Sequence, residues 1–496
     1  MNTDDLIRNP VAFWNIGMAL RLRARGVSDV LIQRGLEIAW IIELAFLLVA
    51  VTAVATLLRR AVDGAARGPV RRMLIVATFA TVGVGAAALG WWVLRHPSQD
   101  IAALLVRWDY LVFCVLTGWL LAQVASGTRI WALAALSVVF VTQYVGAPVM
   151  VVVLAGCLLG YMAERSALVR TPAARALVQG TMIVAVIAIF WLVRSRSGSI
   201  ALAGWGLFQF VLFRHLSFVV EAGRGAPASL RNYLCYLFFY PSCSGAMEVY
   251  REFLDRNLGD EVRIDYRTGV GKVLAGTVFM YFGMLITMTD EVVYGSTSTL
   301  ALWRNLLLLF LRATLFATGL WSVIEGGALF YGFRLRPNFS GILTASSPSM
   351  FWRAWRGTMT NWLIQYVYIP LGGNRRHQTS NIFAAFAVST AWHCMGVPFL
   401  HQADYTALHF APVVAWGTVN FLGVATHAAV RRRRPAQAYQ QPLRLLVVAG
   451  KVALTLCFGA LTVGLLNFML GHTDRFVPFA CGLVGLSGWC GAAGAS

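Results

Sequence analysis

Apolar residues in this chain come in blocks long enough to cross about 30 Å of hydrocarbon. Met73 to Leu94, Tyr110 to Gly127, Ala176 to Val193, Val273 to Thr289 and Val452 to Leu470 carry no charge at all. Ile38 to Leu58 carries only Glu43, and Ile130 to Ala163 reads as two short spans broken at Gly146-Ala147-Pro148. The pattern predicts helices, about 11 to 13 crossings in all. No apolar core precedes Ile38, so a cleaved signal peptide is not expected.

Composition agrees with the pattern: 58% of the 496 residues are hydrophobic and 12% are charged. The formal net charge of +20 raises the question of nucleic acid. Its distribution answers against it, because the arginines sit in short intervals between apolar blocks rather than along one soluble face. With Arg59 to Arg72 taken as cytoplasmic, the intervals Arg165 to Arg175, Arg251 to Lys272, Arg334 to Arg376 and Arg431 to Arg434 all fall inside. The acidic connection Asp290 to Thr299 falls outside. Residues 1–36, with Arg8, Arg21, Arg23, Arg25 and Arg34, resist this threading. They read as an interfacial helix with Val11, Trp14, Met18 and Leu22 on its apolar side.

The eight cysteines show no zinc-ligand or CxxC spacing and read as packing residues, and no metal site is expected. No soluble domain or internal repeat stands out. The chemistry is therefore sought in the longest polar intervals, Glu221 to Lys272 and Arg334 to Ser380.

Four pieces follow one another there: RLRPNF with Arg334, Asn338 and Phe339; FWRAW with Phe351, Trp352, Arg353 and Trp355; YVYIPLGGNR from Tyr366 to Arg375; and the pair Trp392-His393. In order and spacing they resemble the membrane-bound O-acyltransferases, and among them the bacterial branch of alginate O-acetylases and teichoic-acid D-alanyl transfer proteins. FRHLSFVVE (Phe213 to Glu221) and FFYPSCSGAMEVYREF (Phe238 to Phe253) extend the resemblance upstream, so that it covers about residues 200 to 430. Gly245-Ala246 stands where the family usually shows Gly-Pro.

The residues support the same chemistry. If Asn381 opens a span at the cytoplasmic face, His393 lies about 18 Å along the helix, near mid-membrane. An ionisable side chain at that depth must face protein or a water-filled cavity, which makes it a functional candidate. In acyl transfer a hydroxyl loses its proton as it attacks a thioester carbonyl, a step suited to neutral imidazole as general base. No serine nucleophile with an adjacent base is apparent, so direct transfer in a ternary complex is preferred to an acyl-enzyme. The developing oxyanion also needs a donor.

The chain departs from the family directly after Trp355, where His, Asn or Asp is usual and Arg356 stands instead. Arg356 could clamp the oxyanion or donor phosphates, Asn361 could take over the polar role, or Arg356 could be a cytoplasmic-face cation. Trp416-Gly417-Thr418-Val419-Asn420-Phe421 replaces an expected WGxxHG element, and Asn420 cannot act as a base. Gly372, Gly373, Asn374, Arg375 and Arg376 could form an anion-binding turn for the donor. Asn338, Trp352, Arg353, Trp355, Tyr366 and Trp392 complete the donor and substrate candidates by their place in the motifs. Two buried pairings are further expectations: Arg214 and His215 with Glu221, and Glu325 with Arg312.

The expected fold is an all-α polytopic membrane protein with helices around a central tunnel and re-entrant segments near Ser229 to Phe253 and Asn338 to Leu371. Its expected parts are residues 1–36, N-terminal membrane helices 37–199, the family core 200–430 and C-terminal membrane helices 431–496. The resemblance implies an acyltransferase of the bacterial cytoplasmic membrane. It would move an acyl group from acyl-CoA or an acylated phosphopantetheine carrier to a hydroxyl of a glycan, lipid or secreted metabolite. No tightly bound cofactor is expected; an acyl carrier protein and a periplasmic protein are candidate partners. The rival readings are a transporter or channel with His393 as proton relay, and a family member with altered catalysis.

Overall fold

The computed structural model describes residues 29–64, 69–95, 107–166, 169, 171–197, 202–242, 245–258, 264–288, 293, 298–397, 407–433, 443–468 and 476–483. Among these the chain is helical, and the one extended pairing is an isolated bridge between Phe339 and Trp355. Among the described residues, six helical segments are long and apolar enough to cross a bilayer: Val76–Arg95, Ala147–Arg165, Tyr266–Leu285, Thr299–Leu329, Ala411–Arg433 and Arg444–Asn467. Shorter apolar helices cover Leu44–Leu58, Asp109–Ala122 and Gly127–Gln143. Helices satisfy their own backbone groups, which hydrocarbon cannot do, so the apolar blocks build an all-α polytopic membrane protein. Residues 1–28 of the expected interfacial segment lie outside the described residues.

The chain divides into two compact units. The first comprises residues 1–132, 259–278 and 322–334, and the second 133–258, 279–321 and 335–496. In the first, α1 (Asp29–Gly64) and α2 (Pro69–Arg95) both pack on α3 (Trp108–Ala122). Close backbone approach depends on glycine here: a Cβ on Gly118 would fall 2.0 Å from the Phe330 carbonyl oxygen. Lys272 pairs with Glu325. Arg312, expected to be that partner, instead donates to the Met288 carbonyl at 3.2 Å.

In the second unit α4 (Ser126–Val145) and α5 (Ala147–Arg165) meet at Gly146, whose φ of 80° makes the break read from Gly146-Ala147-Pro148. α5 packs on α6 (Pro172–Ser197) and α7 (Leu202–Gly223), and α7 meets the short helices α8 (Leu230–Phe238) and α9 (Tyr250–Asn257). Buried Arg214 holds the irregular backbone between α8 and α9. Its guanidinium donates to the carbonyls of Tyr236, Leu237, Ser242 and Ala246 at 2.8–3.2 Å. The expected pairing of Arg214 and His215 with Glu221 is therefore replaced: Glu221 binds Arg224 and Arg251, and His215 meets Tyr233 and Gln179. Arg214 and Glu221 are two helical turns apart, about 10 Å, too far for a direct bond.

The long helices α10 (Tyr266–Leu285) and α11 (Thr299–Leu329) precede the region of the motifs. There follow α12 (Pro348–Ala354), α13 (Gly357–Leu363), a π-helical stretch Ile364–Tyr368, α14 (Gln378–Cys394), α15 (Ala411–Arg433), α16 (Leu443–Asn467) and α17 (Phe476–Leu483). α15 packs on α12, α14 and α16. Cys114, Cys157, Cys235, Cys394 and Cys457 are outside disulfides. Cys481 on α17 is disulfide-bonded, which corrects its reading as a packing residue; sequence spacing alone does not reveal connectivity.

Candidate active site

The motif pieces converge because short polar segments lock to one another. Ser347 caps α12 by accepting from the Met350 N–H at 3.2 Å, with Pro348 at the first helical position. The Ser340 N–H donates to Ala354 O at 3.1 Å and the Gly357 N–H to Asn338 O at 2.8 Å. Asn338, 2% exposed, accepts through Oδ1 from both the backbone N–H (3.0 Å) and the hydroxyl (2.7 Å) of Thr358. A Cβ at Gly357 would press to 3.1 Å on Pro337 O. Between these anchors Arg356 is held left-handed, at φ 50° and ψ 51°, a conformation that side chains other than Asn, Asp and His seldom adopt.

Aromatic side chains carry the site from α12 to α15. Trp355 stacks on Phe351 at 5.9 Å, and Trp352 meets Trp416 edge to face at 5.7 Å. The Trp352 indole donates to Asn420 Oδ1 at 3.1 Å, an atom that also accepts from Thr462 at 3.0 Å, while Asn420 Nδ2 donates to Trp416 O at 2.7 Å. Asn420 thus ties α12, α15 and α16 together. α14 and α15 touch at Gly417, where a Cβ would fall 2.0 Å from Thr390 Oγ1.

His393 ends this construction, one residue before the end of α14. Its ring lies 4.6 Å from that of Trp392 and 4.5 Å from that of Trp416. Nδ1 stands 2.7 Å from Ser389 O. A carbonyl can only accept, so Nδ1 bears the hydrogen, and Nε2 of the neutral ring is left as a proton acceptor.

His393 lines a cavity of about 1340 Å³ within the second unit. Trp352, Arg353, Trp355, Arg356, Gly373, Asn374 and Trp392 line it as well. The remaining motif residues stand outside the lining. Asn338 fixes the Arg356 segment, and Asn361 donates to Glu252 at 3.2 Å. Tyr366 bonds to Ser217 at 2.8 Å and Glu221 at 3.2 Å, joining α7 to the π-helical stretch. Gly372, at φ 111°, shapes the turn that Asn381 closes by donating to Gly373 O and Arg376 O; Arg375 is exposed on that turn.

Sequence reading did not single out Ser389, Thr360, His427, Arg444 or Lys451 as site residues, yet all line the cavity. Arg431 and Arg432, read there as loop cations, line it too. A lone lysine near the start of an apolar block was the only available signal for Lys451.

Comparison with known proteins places this architecture. Over 260 residues the chain is 23% identical to a probable alginate O-acetylase AlgI of Pseudomonas fluorescens, covering 49% of this chain and 50% of the relative. A peptidoglycan O-acetyltransferase of Helicobacter pylori is 25% identical over 174 residues, 34% of this chain and 29% of the relative. A membrane-bound O-acyltransferase GUP1 of Millerozyma farinosa is 32% identical over 65 residues, 13% of each chain. The match spans half or less of the length of these relatives. The profile of MBOAT, the membrane-bound O-acyltransferase family, matches residues 182–469, more than half of the 496, and the chain belongs to that family.

Proposed function

We propose that this protein transfers an acyl group from a thioester to a hydroxyl, with His393 as general base. The observation that carries the reading is the Ser389 carbonyl at Nδ1, which leaves Nε2 as proton acceptor on a residue lining a large cavity. The acceptor O–H gives its proton to Nε2 while its oxygen attacks the thioester carbonyl. The tetrahedral oxyanion then collapses, the C–S bond breaks, and the proton passes from Nε2 to the leaving thiolate. Arg356, which lines the same cavity as His393, stabilises the oxyanion. Asn361 is less suited to that role because its amide is engaged by Glu252. Trp352, Trp355 and Trp392 wall the reacting centre. Arg353 and the Gly373–Asn374 turn border the donor's path, while Asn338, Tyr366 and Gly372 support those walls.

The donor is acyl-CoA or an acylated carrier protein, approaching from the arginine-rich cytoplasmic side of a bacterial inner membrane. The acceptor is a glycan hydroxyl, a choice supported by the names of the alginate and peptidoglycan O-acetyltransferases among the relatives. The test is acceptor-dependent thiol release by the purified full chain in detergent, supplied with an acetyl thioester and a soluble glycan. His393→Ala should lower turnover by about 10² to 10⁴-fold with little change in thermal unfolding. Equal thiol release by the two proteins sinks the general-base assignment.

A further inference from the structure

We infer that Gln209 on α7 is a positioning residue for the transfer reaction, holding the end of α14 so that the His393 ring keeps its place. The inference rests on the general-base reading above. α7 carries a row of residues spaced four apart, Gln209, Phe213, Ser217 and Glu221, and all four are buried. Gln209 Nε2 donates to Trp392 O at 3.3 Å. The Phe213 ring meets Trp392 edge to face at 5.6 Å and Trp362 at 4.8 Å, and Phe213 O accepts from the Trp362 indole at 3.1 Å. The Ser217 and Glu221 side chains both bond to the Tyr366 hydroxyl. The row thus meets α14, α13 and the π-helical stretch. Other side chains of α7 turn elsewhere: His215 meets Tyr233 and Gln179, and Phe218 packs on Tyr161, Tyr233 and Tyr250.

Of this row Gln209 bears most directly on the base. The last carbonyls of a helix lack intrahelical partners and must find others. At the end of α14, Ala391 O accepts from the Met395 N–H at 3.0 Å and His393 O from the Gly396 N–H at 2.9 Å. Trp392 O accepts from the Gln209 amide, which reaches it from a different helix. A carbonyl can only accept, so the amide nitrogen is the end that faces it. That oxygen belongs to the planar peptide group joining Trp392 to His393, and holding it orients the residue that carries the base. Packing alone does not call for an amide here. Phe210 and Phe213 already meet the Trp392 ring at 6.0 and 5.6 Å, and a buried amide costs free energy unless it is hydrogen-bonded. The Ser389 carbonyl sets the tautomer of His393, and Gln209 sets the peptide from which the ring projects.

The test is steady-state thiol release by the purified full chain in detergent, supplied with an acetyl thioester and a soluble glycan, with kcat and KM separated and thermal unfolding measured on the same preparations. Gln209→Met keeps the length of the side chain and removes the donor. Its kcat should fall about tenfold with KM within about twofold of wild type, because a misaligned base slows the chemical step without weakening substrate binding. Gln209→Asn, one methylene shorter, withdraws the amide from Trp392 O and should lose a similar part of kcat; it carries the test if Gln209→Met is not monodisperse. Phe218→Leu, on another face of the same helix, should lower the melting temperature while kcat stays within about twofold of wild type. A kcat within about twofold of wild type for the Gln209 variants overturns the inference. So does an equal loss of kcat in Phe218→Leu, which would mark a general loosening of α7, or a rise in KM with kcat unchanged. An inactive His393→Ala beside fully active Gln209 variants keeps the base and removes only Gln209, whereas undiminished transfer by His393→Ala removes the base and its positioning together.

Discussion

Replacing Arg356 by Asn should move stability and catalysis in opposite directions. The backbone at this position is left-handed, at φ 50° and ψ 51°, fixed by hydrogen bonds on both sides of it. Such a conformation costs a long side chain about 1 kcal/mol, and asparagine tolerates it better. Arg356→Asn should therefore keep or raise the unfolding free energy, by up to about 0.5 kcal/mol, read as a melting-temperature rise of about 1 °C in detergent. Catalysis should suffer, because the variant removes a cation from the cavity that His393 lines. Loss of one oxyanion donor costs about 3 kcal/mol, equivalent to about 100-fold in kcat. Arg356→Lys keeps the charge but loses the planar fork, and it should fall between, at about tenfold. The assay is steady-state thiol release with kcat and KM separated, alongside thermal unfolding of the same preparations. A kcat within about threefold of wild type for Arg356→Asn refutes the electrostatic role. A rise in KM alone would move the arginine from the transition state to donor anchoring.

Gly417→Ala should force α14 and α15 apart, since its Cβ would fall 2.0 Å from Thr390 Oγ1. Overpacking of this kind costs about 1–3 kcal/mol, and displacing Trp416 from His393 should lower kcat/KM about tenfold. Thr390→Ala should recover most of both losses in the double variant; strict additivity would show that the two residues do not clash. Asn338→Ala leaves the buried Thr358 N–H and hydroxyl without their acceptor, which should destabilise the protein by about 2 kcal/mol. Unfolding unchanged to within about 0.5 kcal/mol would mean that the loop re-forms its hydrogen bonds without Asn338.

The sequence made the existence of the membrane helices legible because lipid imposes a length and an apolarity that a single chain displays locally. The break at Gly146-Ala147-Pro148 is equally plain from its glycine and proline, and the structure puts that proline within the first turn of the next helix. Trp392 and His393 were legible from the short patterns around them. What those patterns could not carry was long-range. Asn420 has no local sign that it joins Trp352, Thr462 and Trp416, and Arg214 has none that it serves four backbone carbonyls instead of Glu221. In water the apolar stripe of a helix announces which face is covered; in lipid both the covered and the uncovered faces are apolar, so that signal weakens. Arginine shows the consequence for function. Its position along the chain reports which end of a helix meets the cytoplasm, and Arg375 and Arg431 are indistinguishable on that measure. They separate only in three dimensions, where Arg431 borders the His393 cavity and Arg375 does not. Charge pattern therefore reads out topology, whereas assignment of a cation to a ligand requires knowing which concavity it borders. That is why Arg431, Arg432, Arg444 and Lys451, which line the His393 cavity, lie about 40 to 60 positions beyond His393, away from the glycine-arginine turn that local motif reading selects.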